Sequence, residues 1–329
     1  ISQHLKNEAV LIGEIALDGA LRGVGPVFAI ASEIMLLGKS FIVVPYDKAE
    51  EASLVNNIKV IAPKNLQELV SWFLLDEMPI YKKRDLLEND VAKNKVDLSD
   101  VCGNDQAKRA LQISAAGGHA LLFIGSPGVG KTMLAERLST LLPKMSVEEQ
   151  LEVSKIHSIH GRLDINGLIK SRPFQSPHHT ISTSGMVGGG SYPKPGAVSL
   201  AHRGVLFLDE LLEYRRSCLE VLRQPIESKK ITISRANLEC TFPADFILLA
   251  ATNPCPCGYY GDKRYNCTCS THEIRQYLRK ISGPLLDRID LHVGIYSTDK
   301  VVDGPRKRSE DYRSDVERAR RIQKNRFNT

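Results

Sequence analysis

One octapeptide constrains this chain more than any other feature. Gly125-Ser126-Pro127-Gly128-Val129-Gly130-Lys131-Thr132 fits the pattern G-x-x-x-x-G-K-[ST]. It lies between an apolar run, ALLFI at 120–124, and a helical stretch at 131–142 with Leu134, Leu138, Leu141 and Leu142 on one side. A strand, a glycine loop and a helix in that order make a phosphate cradle. The glycines let successive backbone N–H groups turn toward one anion, and the helix N-terminus adds a favourable dipole. Lys131 is expected to neutralise the β and γ phosphates of a nucleotide, and Thr132 to ligate Mg²⁺. Two further runs, VLFL at 205–208 and FILLAA at 246–251, are apolar throughout. Such runs belong to strands covered on both faces, so the pattern predicts an α/β fold: a parallel sheet with helices on both faces.

The run at 205–208 ends in Asp209-Glu210. A buried strand that delivers two acids to its C-terminal edge places Asp209 to hold Mg²⁺ and Glu210 to orient the attacking water. Taken alone, the pair also describes a helix cap or a turn; its position downstream of the octapeptide is what gives it meaning. Asn253, in AATNP, is placed to hold that water near the γ phosphate, or else simply turns the chain before Pro254. Arg288, in GPLLDRID, is placed to reach a neighbouring subunit's nucleotide and stabilise transition-state charge. The alternative is an ion pair with Asp287 or Asp290.

A chain of 329 residues exceeds one average domain, and 42% hydrophobic with 25% charged residues describes a globular protein. No apolar run reaches the roughly 20 residues of a membrane helix; the longest candidate, 26–37, holds Ser32 and Glu33. The chain opens at Ile1 with no signal-like start. It therefore reads as a fragment or a processed chain, expected in the cytoplasm with no membrane partner. Residues 1–80 alternate strand and helix signals, with strands at 10–17, 41–44 and 60–62 and helices at 25–37, 49–55 and 66–74. The charged stretch 81–97 reads as a linker. A second α/β unit starts at 98, with a helix at 104–116 and a Gly-, Pro-, Ser- and His-rich insertion at 166–204. Basic residues outnumber acidic ones over 306–326, which fits a solvated helix face. The net charge of +6 permits an acidic partner without demanding one.

Of the seven cysteines, Cys102, Cys218 and Cys240 are scattered, whereas Cys255, Cys257, Cys267 and Cys269 form C-x-C, a gap, and C-x-C. Four thiolates suit a tetrahedral structural zinc, with Gly258 and Gly261 allowing tight turns. Free thiols and disulfides are the two other states open to them. Ile231, Ile233, Leu238, Cys240 and Phe242 alternate around Arg235-Ala236-Asn237, the pattern of a hairpin. Lys229, Lys230 and Arg235 are its candidate contacts to nucleic-acid phosphates; the plainer reading is a hairpin used for subunit packing. His178, His179 and His202 have no ligand-spaced cysteine or paired carboxylate, so structural hydrogen bonding is favoured over metal.

The ordered set of octapeptide, L-D-E, A-T-N-P and L-L-D-R-I-D resembles an AAA+ ATPase. Finer text is more specific: Asp100-Val-Cys-Gly103, Ala115-Ala-Gly-Gly-His119, Arg172-Pro-Phe-Gln-Ser-Pro-His-His179, Met186-Val-Gly-Gly-Gly190, Ser199-Leu-Ala-His202 and Gln224-Pro-Ile-Glu227 resemble the ComM/YifB group of magnesium-chelatase-like AAA+ proteins. The resemblance implies an AAA+ core over 98–296, a helical lid starting in 297–329, ATP and Mg²⁺ as ligands, and a homo-oligomeric ring, a hexamer, with Arg288 acting in trans. It implies a DNA motor of branch migration in recombination of incoming DNA. A protein-remodelling ATPase of the chelatase kind is the second reading, and a nucleotide-gated scaffold the third. Gly13-Glu-Ile-Ala-Leu-Asp-Gly-Ala-Leu-Arg-Gly23 and the next helix are similar to the second half of a Lon-like domain, so residues 1–80 are expected to be a partial one. Lon-type proteolysis needs a Ser–Lys dyad. That helix holds no lysine and Lys39 is a poor substitute, so the domain is expected to be non-proteolytic.

Overall fold

The computed structural model describes residues 9–75, 79–82, 96–163, 167–235, 238–296 and 306–327. The chain folds as two units, Ile1–Val91 with Ser146–Lys170, and Ala92–Met145 with Ser171–Thr329. In the first, strands β1 (Ala9–Leu11), β2 (Phe41–Val43) and β3 (Lys59–Ile61) form a parallel sheet in that order. Helices α1 (Val27–Leu36), α2 (Ala49–Ser53) and α3 (Leu66–Leu75) accompany it. The strand expected at 10–17 breaks at Gly13, where a Cβ would stand 2.8 Å from Pro45 Cγ. Glu14–Ile15 then pairs with Leu21–Arg22 as a separate short ribbon.

The helix Val147–His160, which the linear reading places in the nucleotide-binding core, belongs to this first unit. Lys155 there reaches Glu33 on α1 at 2.9 Å. Glu51 accepts both the Phe28 amide at the start of α1 (3.1 Å) and the Ser158 hydroxyl (2.9 Å). The chain thus enters this unit twice. The proposed linker at 81–97 lies largely outside the described residues.

The second unit contains, in chain order, α4 (Asp105–Gly117), β4 (Leu121–Gly125), α5 (Lys131–Leu141), β5 (Phe174–Gln175), β6 (Val205–Leu208), β7 (Lys230–Arg235), β8 (Leu238–Pro243), β9 (Ile247–Thr252), α6 (Thr271–Leu278), β10 (Leu291–Ile295) and α7 (Ser309–Phe327). Five strands form one parallel sheet, ordered β10-β4-β9-β6-β5. The three apolar runs of the sequence are its three central strands. Their side chains Leu121, Phe123, Phe207 and Leu249 pack with Leu134, Leu138 and Leu141 of α5 and Leu111 of α4. Each large side chain so buried contributes about 1.5–3 kcal/mol.

The basic segment is more than a solvated face. Val316 of α7 is fully buried. Arg313 donates to the Thr140 carbonyl (2.9 and 2.6 Å) and Arg320 to the Ala115 carbonyl (3.0 and 2.7 Å). Thr140 and Ala115 lie in the last turns of α5 and α4, where unpaired carbonyls favour a cation. The helix expected to open a lid is therefore fastened to the core. Strands β7 and β8 form the hairpin, registered from Lys230↔Pro243 to Arg235↔Leu238. Ile231, Ile233 and Phe242 are buried on one face, while the Thr232 and Thr241 hydroxyls meet at 3.0 Å on the other.

Candidate nucleotide site

Parallel pairing decides what can meet. Strands β4, β6 and β9 run the same way, so the loops that follow them share one edge of the sheet. The octapeptide follows β4, Asp209-Glu210 follow β6 and Asn253 follows β9. Gly128 (φ +76°) and Gly130 (φ +89°) take left-handed conformations that L side chains rarely adopt. Beyond their chain neighbours, no heavy atom of the described residues lies within 4 Å of the space their Cβ atoms would fill.

Lys131 at the start of α5 folds back over this loop. Its ammonium donates to the Gly125 carbonyl (2.6 Å), the Ser126 carbonyl (3.0 Å) and Asn253 Oδ1 (3.0 Å). Burial holds its pKa below the usual lysine range, while Asp209 and Glu210 nearby pull the other way. The Thr132 hydroxyl donates to Asp209 Oδ2 at 2.7 Å. A hydroxyl and a carboxylate converging beside a phosphate cradle are hard oxygen ligands of the kind Mg²⁺ takes. The residues therefore fit a Mg²⁺–nucleotide, which brings the phosphoanhydride and a cation to spread its developing charge.

Glu210 is held in a special way. Its backbone is left-handed (φ +51°), at a cost of roughly 1–2 kcal/mol for a residue with a Cβ. Its N–H donates to Asp209 Oδ1 at 2.9 Å, and its carboxylate stands 3.2 Å from His179 Nδ1. His179 stacks on His178 with ring centroids 4.1 Å apart and meets Tyr214 edge-on. The Tyr214 hydroxyl donates to the Pro177 carbonyl at 2.5 Å, and burial pushes its pKa far above the ordinary value. His179 is the residue that sequence reasoning left among structural histidines. It comes to Glu210 because it follows β5, the strand beside β6, an adjacency with no signal in the sequence.

Arg288 is not at this edge. Strand β10 is parallel to β4, with Leu291 opposite Leu121 and Ile295 opposite Gly125. Arg288 precedes β10 while the phosphate loop follows β4, so the two are at opposite ends of the sheet. At about 3.3 Å per residue they are more than roughly 13 Å apart. Within the chain Arg288 pairs with Glu227, not with Asp287 or Asp290, and donates to the Pro284 carbonyl at 2.5 Å. Its Nε is buried without a hydrogen-bond partner among the described residues. Asp290 instead accepts the Ala120 amide at 2.8 Å.

The four clustered cysteines converge, their sulfurs all within 4.8 Å of one another. Cys255 Sγ lies 3.3 Å from Cys257 Sγ and 3.7 Å from Cys267 Sγ, which is 3.6 Å from Cys257 Sγ. Zinc at about 2.3 Å from each sulfur of a tetrahedron needs sulfurs about 3.8 Å apart. Backbone amides of Tyr259 and Thr268 draw the Cys257 thiol down to about 5. At Cys269 the Cys257 amide lowers the pKa, but burial and the neighbouring thiols outweigh it and push it up to about 12. Among the described residues the quartet is the one set of three or more ligand-bearing side chains whose ligand atoms converge in this way. His202 instead accepts the Asp245 amide (3.0 Å), and His178 bonds Thr180 (2.9 Å).

Of the candidate phosphate contacts on the hairpin, Lys229 is engaged by Asp245 at 3.3 Å, and Lys230 is exposed. The side chain of Arg235 and the tip residues Ala236 and Asn237 lie outside the described residues.

A parallel five-stranded sheet with this strand order, a phosphate loop after one central strand and paired acids after another define a P-loop ATPase of the AAA+ class. The chain belongs to the family described as magnesium chelatase, subunit ChlI, which matches residues 97–302. It is 45% identical over 291 residues to the uncharacterized protein YifB of Escherichia coli (strain K12), covering 88% of this chain and 56% of that protein. It is 44% identical over 299 residues to the competence protein ComM of Haemophilus influenzae, covering 89% and 58%. A solved complex of the magnesium chelatase subunits BchI and BchD aligns at TM-score 0.44 with 22% identity, over 68% of this chain and 65% of that one. The chain spans little more than half the length of YifB and ComM.

Proposed function

We propose that this chain is the ATP-hydrolysing part of a cytoplasmic, ring-forming DNA motor acting in recombination of incoming DNA. The observation that carries hydrolysis is the meeting of Lys131, Thr132, Asp209 and Asn253 around one phosphate loop. Lys131 binds the phosphates, Thr132 and Asp209 hold Mg²⁺, Glu210 orients the water, and Asn253 positions it. Arg288, remote from its own phosphate loop, serves the neighbouring subunit of a hexamer. The DNA reading draws on the likeness to a competence protein and on a hairpin whose polar face and Lys230 are exposed.

The cysteine quartet is assigned one structural zinc per chain. The Lon-like first unit is given no proteolytic role, since α1 carries no lysine. The match to the chelatase family favours, as second reading, a motor that remodels a protein complex.

ATPase assays with single-stranded, duplex and branched DNA over a salt series separate the readings. A DNA motor gives DNA-stimulated turnover that falls steeply with salt, and Lys230→Ala lowers the salt slope by about one counterion. Turnover indifferent to every DNA form would overturn the DNA reading while leaving the ATPase standing.

A further inference from the structure

The cysteine quartet lies beside the phosphate loop and touches it through several residues. Gly258, one residue past Cys257, adopts φ +88°, and a Cβ there would stand 2.8 Å from Pro127 Cδ and 2.9 Å from Pro127 Cγ. The turn after the first cysteine pair is thus pressed on the middle of the octapeptide. Asp262, in the loop joining the two cysteine pairs, accepts the Arg264 amide at 2.8 Å, and the nearby Ser126 side chain holds its carboxyl below the usual range. The Ser126 carbonyl is one of the acceptors of Lys131, at 3.0 Å. Asn253, another acceptor of Lys131 at 3.0 Å, stands two residues before Cys255. Cys255 is fully buried. The Tyr260 amide points at its sulfur (3.3 Å), and the Cys257 amide at that of Cys269 (3.4 Å), the contacts that support a bound thiolate.

Without a cation, the two cysteine pairs are joined across the loop by weak thiol contacts and amide-to-sulfur bonds, while the rest of the loop is held by bonds local to it, such as those at Asp262, and a Tyr259–Tyr265 ring pair at 4.9 Å. Its ordering must then be supplied when nucleotide binds, which lowers affinity. Four metal–sulfur bonds supply that order beforehand. We infer that the zinc-loaded quartet is a brace for the phosphate loop and Asn253, so that metal occupancy sets how tightly this chain holds nucleotide. This rests on the zinc assignment above and adds a coupling that the assignment does not require.

The test uses the whole chain, with zinc measured by atomic emission and affinity read from titration with a fluorescent ADP analogue. The brace predicts close to one zinc per chain. Chelator-stripped protein with an unchanged circular dichroism spectrum should bind the analogue about tenfold more weakly, and added zinc should restore it. Stripped, folded protein with undiminished affinity overturns the brace and leaves the zinc assignment intact. Less than about 0.2 zinc per chain, with all four thiols titratable without denaturant, overturns both. If stripping unfolds the chain, zinc-loaded Asp262→Ala decides. Weaker analogue binding by about threefold or more at unchanged zinc content supports the brace, and affinity equal to the parent's overturns it.

Discussion

Lys131 is half-buried and cationic, and those two facts oppose each other. Burial disfavours the ammonium, so its folded pKa lies below that of the unfolded lysine, and the fold sheds this proton at lower pH than an exposed lysine would. The nucleotide-free fold therefore gains stability as pH rises between the two values, while the phosphate site loses its cation over the same window. Nucleotide affinity is expected to decline on the alkaline side before the ordinary lysine value of 10.5 is reached. A flat affinity from pH 7 to 10, read by analogue titration, would count against Lys131 as the phosphate cation. Lys131→Ala should lose binding altogether, whereas Glu210→Gln should keep ATP bound and abolish turnover. His179 makes a finer prediction. Its ring holds the Glu210 carboxylate at 3.2 Å, so His179→Ala should raise basal hydrolysis about threefold to tenfold at unchanged affinity. A fall to the level of Glu210→Gln would place His179 among the groups that carry the reaction instead. Lys131 and Thr132 were legible in the sequence because strand, loop and helix fix their spacing locally, and Asp209 and Glu210 because they end an unbroken apolar run downstream. The His179–Glu210 contact was not, because it depends on which strand lies beside β6, and β5 is only two residues long.

At the level of elements, what could be read followed burial. Strands β4, β6 and β9 are covered on both faces and announced themselves as unbroken apolar runs. Strand β10 is half exposed, Leu-His-Val-Gly-Ile, and gives no such run. The helix Val147–His160 carries charge around much of its surface, and nothing in its local pattern says that it packs with residues 1–91. Helix α7 looked solvated because only Val316, with Tyr312 beside it, brings it apolar contact, and the rest of its hold on the core is polar: Ser309, Asp315 and arginines reaching carbonyls. Those contacts imply a cost. Val316→Ala should destabilise the second unit by about 2 kcal/mol, or roughly 4–8 °C in Tm. Calorimetry that shows no shift would mean that α7 is not held in solution as it is in this fold.

At the scale of the whole molecule, the proposed ring gives Arg288 to a second copy. Every parallel strand exposes its C-terminal end at the edge that holds the phosphate loop, and Arg288 sits before β10 at the other end. In the proposed ring that arginine reaches phosphate charge on a second chain whose phosphate edge faces it, a head-to-tail contact. The consequence is complementation. Arg288→Ala keeps its own loop and acids intact but gives its neighbour no cation; Glu210→Gln gives the cation but cannot hydrolyse. Each variant alone should bind nucleotide and turn over little. In rings mixed at random in equal amounts, a productive site needs an Arg288→Ala chain beside a Glu210→Gln chain in one order. That arises at about one interface in four, so mixing should restore about a quarter of the parent rate. Mixed rings confirmed by mass photometry but as inactive as either variant alone would show that Arg288 serves its own chain through Glu227, and that the site is completed by some other group.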